Sequence, residues 1–303
     1  MGKNNSADKH YNLIFPSSYP NGKKYIQNIK DLEAKGVFLK ENLVSKLSTP
    51  RFSFKDRLQS LNQILLKDEE SFIFCGRGGY GASDLLPFLD WKKLRQAPTK
   101  WLIGFSDICA VQSALLTKLK WPSIHAPMVA TDLWEKSNGK DTLELLSLIK
   151  KSSKKGSLSV RGLSTSCQGE VSGWLFGGCL SVLCSLIGTP FFPSSLKGAI
   201  LFFEDTGESP ERVLRSWNQI IQNPSFSGVE GIILGAFTNL GSKISPLELK
   251  KELSKRSSKP VWSSEDFGHV SPNFPLVIGS SACLGDSQLK WSYDNGFGHN
   301  YPW

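Results

Sequence analysis

Along the first half of the chain, short apolar runs alternate with segments whose apolar residues recur at helical spacing. Tyr11–Phe15, Val37–Leu39, Ser71–Cys75 and Trp101–Phe105 have strand length and end in polar or glycine-containing turns. Tyr25, Ile26, Ile29 and Leu32 instead mark one helical face before Gly36, and Leu58, Leu61, Ile64 and Leu65 mark another. Strand, helix, strand in this rhythm predicts βα units packed around a mainly parallel sheet, spanning residues 1–150.

The pattern changes at Lys150. Residues 151–168 are rich in Ser, Lys and Gly, which predicts a surface linker between two domains. Beyond it, Val171–Phe176, Ala199–Phe203, Gly231–Phe237 and Val261–Trp262 are short strand candidates, and Glu211–Ile221 and Pro246–Arg256 have helical spacing. Residues 169–303 therefore predict a mixed, β-rich C-terminal domain.

Composition narrows the function classes. A length of 303 residues suits two domains, and a hydrophobic content of 40% is ample for burial. The net charge of +9 lies partly in short Lys/Ser runs such as Lys150–Lys155, without interleaved aromatics, so no nucleic-acid partner is expected. Six cysteines at 75, 109, 167, 179, 184 and 283 form no CxxC and no metal-like spacing with His. They predict reduced, buried thiols and no metal centre. Met1–Lys9 has no apolar signal-peptide core, and no apolar run approaches membrane-span length. The expected address is cytoplasmic, with no membrane span.

Four stretches can carry chemistry. Cys75–Ala82 places four glycines in six positions after a strand, a layout that lets backbone N–H groups face an anion. It is neither GxGxxG nor a P-loop. In Gly104-Phe105-Ser106-Asp107-Ile108, a strand runs directly into a helix, so the Ser106 hydroxyl can be a nucleophile on a sharp turn or a helix N-cap. Leu201–Asp205 ends an apolar run with Glu204, placed to orient a histidine. Phe267-Gly268-His269-Val270 carries one of four histidines on a loop, a general-base candidate. His125 follows an apolar run and can line the site or be a satisfied structural residue, while His10 and His299 sit in polar termini. Cys109, within one turn of Ser106, is a rival nucleophile or a packing residue.

Taken in order, Arg77–Ala82, Gly104–Ile108, His125–Met128, Gly177–Ser181 with Gly188–Pro190, Phe203–Asp205 and Gly268–His269 resemble the LD-carboxypeptidase family of serine peptidases. That family includes muramoyl-tetrapeptide carboxypeptidases and microcin C immunity peptidases. The resemblance implies Ser106 as nucleophile, His269 as base, Glu204 as its orienting group, and backbone amides of Gly79 and Asp107 as oxyanion hole. It implies an N-terminal doubly wound domain, a β-rich C-terminal domain carrying Glu and His, a homodimer, and no cofactor. The expected reaction is hydrolysis of an L,D peptide bond, releasing terminal D-alanine from a murein tetrapeptide, with Arg77 as a candidate clamp for the free carboxylate. Alternatives are cleavage of a peptidyl- or aminoacyl-nucleotide and a catalytically inactive binding protein of the same fold. Where the family commonly has Thr, Gly and Asn, this chain has Cys109, Ala126 and Cys179.

Overall fold

A computed structural model describes residues 9–20, 23–41, 53–69, 71–131, 134, 139–150, 154–164, 166–167, 169–285 and 287–293. His299 and Gln168 lie outside the described residues. Strands Lys9–Ile14, Val37–Glu41, Ser71–Cys75, Lys100–Gly104 and Ser123–His125 pair in parallel. Their lateral order, from Ser123–His125 through Lys100–Gly104, Ser71–Cys75 and Lys9–Ile14 to Val37–Glu41, reverses direction at the first strand. Successive strands therefore depart to opposite sides of Lys9–Ile14. Such a switch point opens a crevice at the carboxyl ends of the strands, where ligands of doubly wound sheets bind.

The connecting helices follow the apolar stripes. Phe54–Leu65 starts where the Ser53 side chain accepts from the Asp56 amide at 3.2 Å, and it buries Leu61, Ile64 and Leu65. Cys109–Leu119 is apolar nearly all round, because it is covered by the sheet on one side and by the C-terminal half on the other.

The second sheet has eight strands. Val171–Cys179, Ala199–Thr206, Gly231–Thr238 and Val261–Ser263 run parallel at its centre. Antiparallel strands Ser281–Leu284, Gln288–Tyr293 and Lys154–Ser159 flank one side, and Arg161–Gly162 closes the other. Two expectations change here. The stretch 151–168, expected as a linker, contains the two outer strands of this sheet, whose Ser, Lys and Gly content suits half-solvated edges rather than a free tether. Leu276–Ile278, from the C-terminal half, joins the first sheet antiparallel to Ser123–His125. The two sheets thus share one apolar core. The Trp101 and Tyr293 rings meet edge-on at 4.7 Å, and Ser113 Oγ donates to the Phe191 carbonyl at 2.8 Å.

Candidate active site

Strand Lys100–Gly104 delivers Ser106 to the carboxyl edge of the first sheet. Phe105 is still extended, and Ser106 then turns into the left-handed region at φ 63°, before a single 3₁₀ turn and helix Cys109–Leu119. A β-carbon resists that conformation, so tertiary contacts hold the strain in place, a common arrangement at functional residues. Ser106 is thus the residue at the apex of the turn and not a helix N-cap. Gln112 braces the turn from beneath, its Nε2 donating to the Gly104 carbonyl at 2.9 Å and the Ile124 carbonyl at 3.0 Å.

The glycine-rich loop wraps over the turn. A β-carbon at Gly78 would lie 2.8 Å from Ser106 Cβ and 2.9 Å from its Oγ, so only glycine lets the loop come this close. Two charged side chains fix the loop. Asp107 Oδ2 accepts from the Ala82 amide at 2.9 Å and from Ser17 Oγ at 2.5 Å. The buried Arg57 guanidinium donates to the carbonyls of Pro16 at 2.8 Å and Gly81 at 2.7 Å. The segments bearing the Gly79 and Asp107 amides are thereby held beside the hydroxyl. Arg77 sits on the same loop, half-buried, with Nη1 3.5 Å from the Tyr19 carbonyl.

Glu204 and His269 come from the second sheet. Glu204, within strand Ala199–Thr206 opposite Cys179, is 0% exposed. Its Oε2 lies 2.6 Å from His269 Nδ1, and His269 Nε2 lies 3.1 Å from Ser106 Oγ. The structure therefore brings Ser106, His269 and Glu204 into one hydrogen-bonded chain across the junction of the sheets. At Gly268, φ 109° and a would-be β-carbon 2.8 Å from Glu204 Cβ leave room for no side chain. Asn273 Oδ1 accepts from the Gly268 amide at 2.9 Å, and the Asn273 backbone N–H donates to Asp141 Oδ2 at 2.8 Å, tying the histidine loop to helix Lys140–Lys150.

The electrostatics follow from this burial. Burial, the largest single influence, would raise the Glu204 carboxyl, but the His269 charge and the close approach of both histidines together outweigh it, and the pKa falls from 4.5 to about 2. For His269, burial favours the neutral ring, whereas the Glu204 charge and hydrogen bond, then the Asp205 charge, raise its pKa above 6.5. Asp205 faces away, accepting from the Ser181 amide at 2.8 Å as helix Leu180–Ser185 begins.

One expectation is corrected, and the choice left open at Cys109 is decided for packing. His125, a candidate for lining the pocket, is 0% exposed and lies behind Glu204, enclosed by Phe105, Phe202 and Phe267. Strand pairing on both sides fixes it there, against Gly104 and Leu276. Cys109 is buried, and burial pushes its thiol well above the ordinary value, so it packs rather than reacts. Arg57, Gln112, Asp141 and Asn273 went unnoticed in the sequence. Arg57 left a trace, because it occupies the apolar stripe with Leu61, Ile64 and Leu65, where a lone charge needs partners.

Comparison with known proteins shows the family. Residues 12–126 match the LD-carboxypeptidase N-terminal domain and residues 172–284 its C-terminal domain. The chain is 30% identical over 291 residues to the murein tetrapeptide carboxypeptidase of Pseudomonas aeruginosa, covering 92% of this chain and 94% of that one. It is 27% identical to the microcin C7 self-immunity protein of Escherichia coli, over 87% of this chain and 86% of that one. The crystal structure of muramoyltetrapeptide carboxypeptidase from Oxalobacter formigenes superposes with a TM-score of 0.80 at 25% identity, covering 93% of this chain and 98% of that one.

Proposed function

Because this chain belongs to the LD-carboxypeptidase family of serine-type hydrolases, we propose that Ser106, His269 and Glu204 are its catalytic triad and that it releases terminal D-alanine from a murein tetrapeptide. The observation carrying this reading is the chain of hydrogen bonds from Glu204 through His269 to a hydroxyl on a strained turn.

The chemistry follows from the geometry. Neutral His269 accepts the Ser106 proton at Nε2 as Oγ bonds to the carbonyl carbon of the L,D peptide bond. Amides of Gly79 and Asp107 receive the oxyanion, and Arg77 offers a cation to the free carboxylate of the leaving residue. When the tetrahedral intermediate collapses, the C–N bond breaks and His269 hands its proton to the departing amine. Water then adds to the acyl-enzyme, again deprotonated by His269, and restores Ser106. Throughout, Glu204 holds the Nδ1 proton and stabilises the charged ring.

Murein tetrapeptide as substrate implies peptidoglycan recycling in the cytoplasm, and the family supports a homodimer. No helix among the described residues is long and apolar enough to cross a membrane, consistent with this reading. Similarity to the microcin C7 self-immunity protein supports a second reading, with an aminoacyl-nucleotide as substrate on the same triad. Wild type and Ser106→Ala are incubated with a murein tetrapeptide and with an aminoacyl sulfamoyl-adenylate, following D-alanine and the freed amino acid by mass spectrometry. D-Alanine release by wild type alone is expected. Cleavage of only the adenylate would move the substrate to the second reading, and equal release by Ser106→Ala would remove Ser106 as nucleophile.

A further inference from the structure

Glu204 is a fully buried carboxylate with two oxygens to satisfy, and His269 reaches only Oε2. Oε1 has no hydrogen-bond partner among the described residues, and the same holds for both ring nitrogens of His125. These orphans face each other. His125 Nε2 lies 3.7 Å from Glu204 Oε1, with both side chains 0% exposed. A movement of roughly 0.8 Å would close this to an ordinary hydrogen bond.

We propose that His125 is a positioning residue for the reaction, its Nε2–H facing the second oxygen of Glu204 and fixing from behind the carboxylate that orients His269. The inference rests on the triad reading of the site.

The surroundings favour this arrangement over a merely structural histidine. Phe105, Phe202 and Phe267 surround the imidazole at centroid distances of 5.7, 5.4 and 6.2 Å, and Phe105 also packs on His269 at 4.8 Å. Water is kept from the pair, so the Glu204 oxygen must find its donor within the protein. Strand pairing with Gly104 and Leu276 holds the His125 backbone, and the packed rings around it keep the imidazole beside the carboxylate. The other ionisable groups around the pair are His269, Asp205 next along the strand, and the buried thiols of Cys109 and Cys179. None of them reaches Oε1.

A donor on Oε1 draws charge away from Oε2 and moderates the pull of Glu204 on the His269 proton. Its loss leaves Oε2 the stronger acceptor, so His269 keeps its proton to higher pH. The test is ¹⁵N imidazole NMR without substrate, on wild type, His125→Phe and His125→Gln. Only four histidines need assignment. In wild type, His125 is expected to carry its proton on Nε2. His125→Phe should raise the pKa of His269 by at least about half a unit, and His125→Gln, which returns an N–H donor, should bring it back towards wild type. An unprotonated Nε2 in wild-type His125 would overturn the proposal without any variant needing to fold. So would an unchanged His269 titration in folded His125→Phe. Because no substrate is present, these spectra stand or fall separately from D-alanine release, which tests the triad itself.

Discussion

Ser106 and Glu204 both sit near the carboxyl end of a buried strand, one in each sheet, yet they are held in opposite ways. Backbone holds Ser106: a left-handed turn, a glycine loop pressed onto its side chain, and helix Cys109–Leu119 leaving behind it. Side chains and burial hold Glu204, which lies inside strand Ala199–Thr206 with aromatic rings packed around its histidine neighbours. The Ser106 side can therefore be damaged by adding a single methyl group. On the acid side, the damaging change is to remove a charge.

The largest effect expected in breaking this comparison is that of Glu204→Gln. Losing the carboxylate charge should lower kcat by about 10³–10⁴-fold. With the main cause of its raised pKa gone, His269 should lose its proton at lower pH, moving the acidic limb of the kcat/KM profile down. A limb that stays in place would mean the limb is not set by His269.

Next comes Gly78→Ala, whose new methyl would meet Ser106 Cβ and Oγ below 3 Å. A fall in kcat of about 10²-fold is expected from a displaced Ser106 hydroxyl, in a protein that still melts cooperatively by circular dichroism. Unchanged turnover would show that the loop yields without disturbing Ser106.

Asn273→Ala should act more mildly, because it frees the Gly268 amide but keeps the backbone hydrogen bond to Asp141 and leaves the Ser106, His269 and Glu204 side chains present. A loss of about 1–3 kcal/mol in stability is expected from the one broken buried hydrogen bond, read by urea denaturation, with about a tenfold fall in kcat. Cys109→Ala should change least, within about threefold in kcat for a packing residue away from the reacting atoms. A loss comparable to Glu204→Gln would restore Cys109 as a rival nucleophile.

Stability should also depend on pH with opposite signs at the two partners. Glu204 has a depressed pKa, so its contribution is present above its ordinary 4.5 and is lost as pH falls towards 2. His269 has a raised pKa, so its contribution is present below 6.5 and is lost as pH rises through the folded-state value. Both draw on the same ion pair and should not be added. Thermal melts of wild type and Glu204→Gln between pH 3 and 8 should therefore differ most in the window between these limits.

Much of the arrangement was legible in the chain. Apolar runs gave four of the five parallel strands of the first sheet within a few residues, because burial on both faces demands continuous apolar sequence, while the three-residue strand Ser123–His125 is too short to show a pattern. Resemblance in six ordered motifs pointed to Ser106, Glu204 and His269, two of them beside glycines that the packing requires. The outer strands were not legible. Lys154–Ser159, Arg161–Gly162 and Gln288–Tyr293 are edge or near-edge elements, half-solvated and polar, and their strand character comes from the partners they pair with.

The sequence by itself determined the alternation of elements, the glycines at the turns, and which residue types could form a nucleophile, a base and a carboxylate. Only the tertiary structure decided that His125 lies behind Glu204 rather than in the pocket, that Asp107 and Arg57 tie the glycine loop down, and that Asp141 anchors the histidine loop. Each of these depends on which groups meet in the interior across tens of residues of chain. Local spacing sets the face a side chain takes on its own element, but the charge or donor opposite it is supplied by another strand or loop, and only the packed fold brings the two within hydrogen-bond reach.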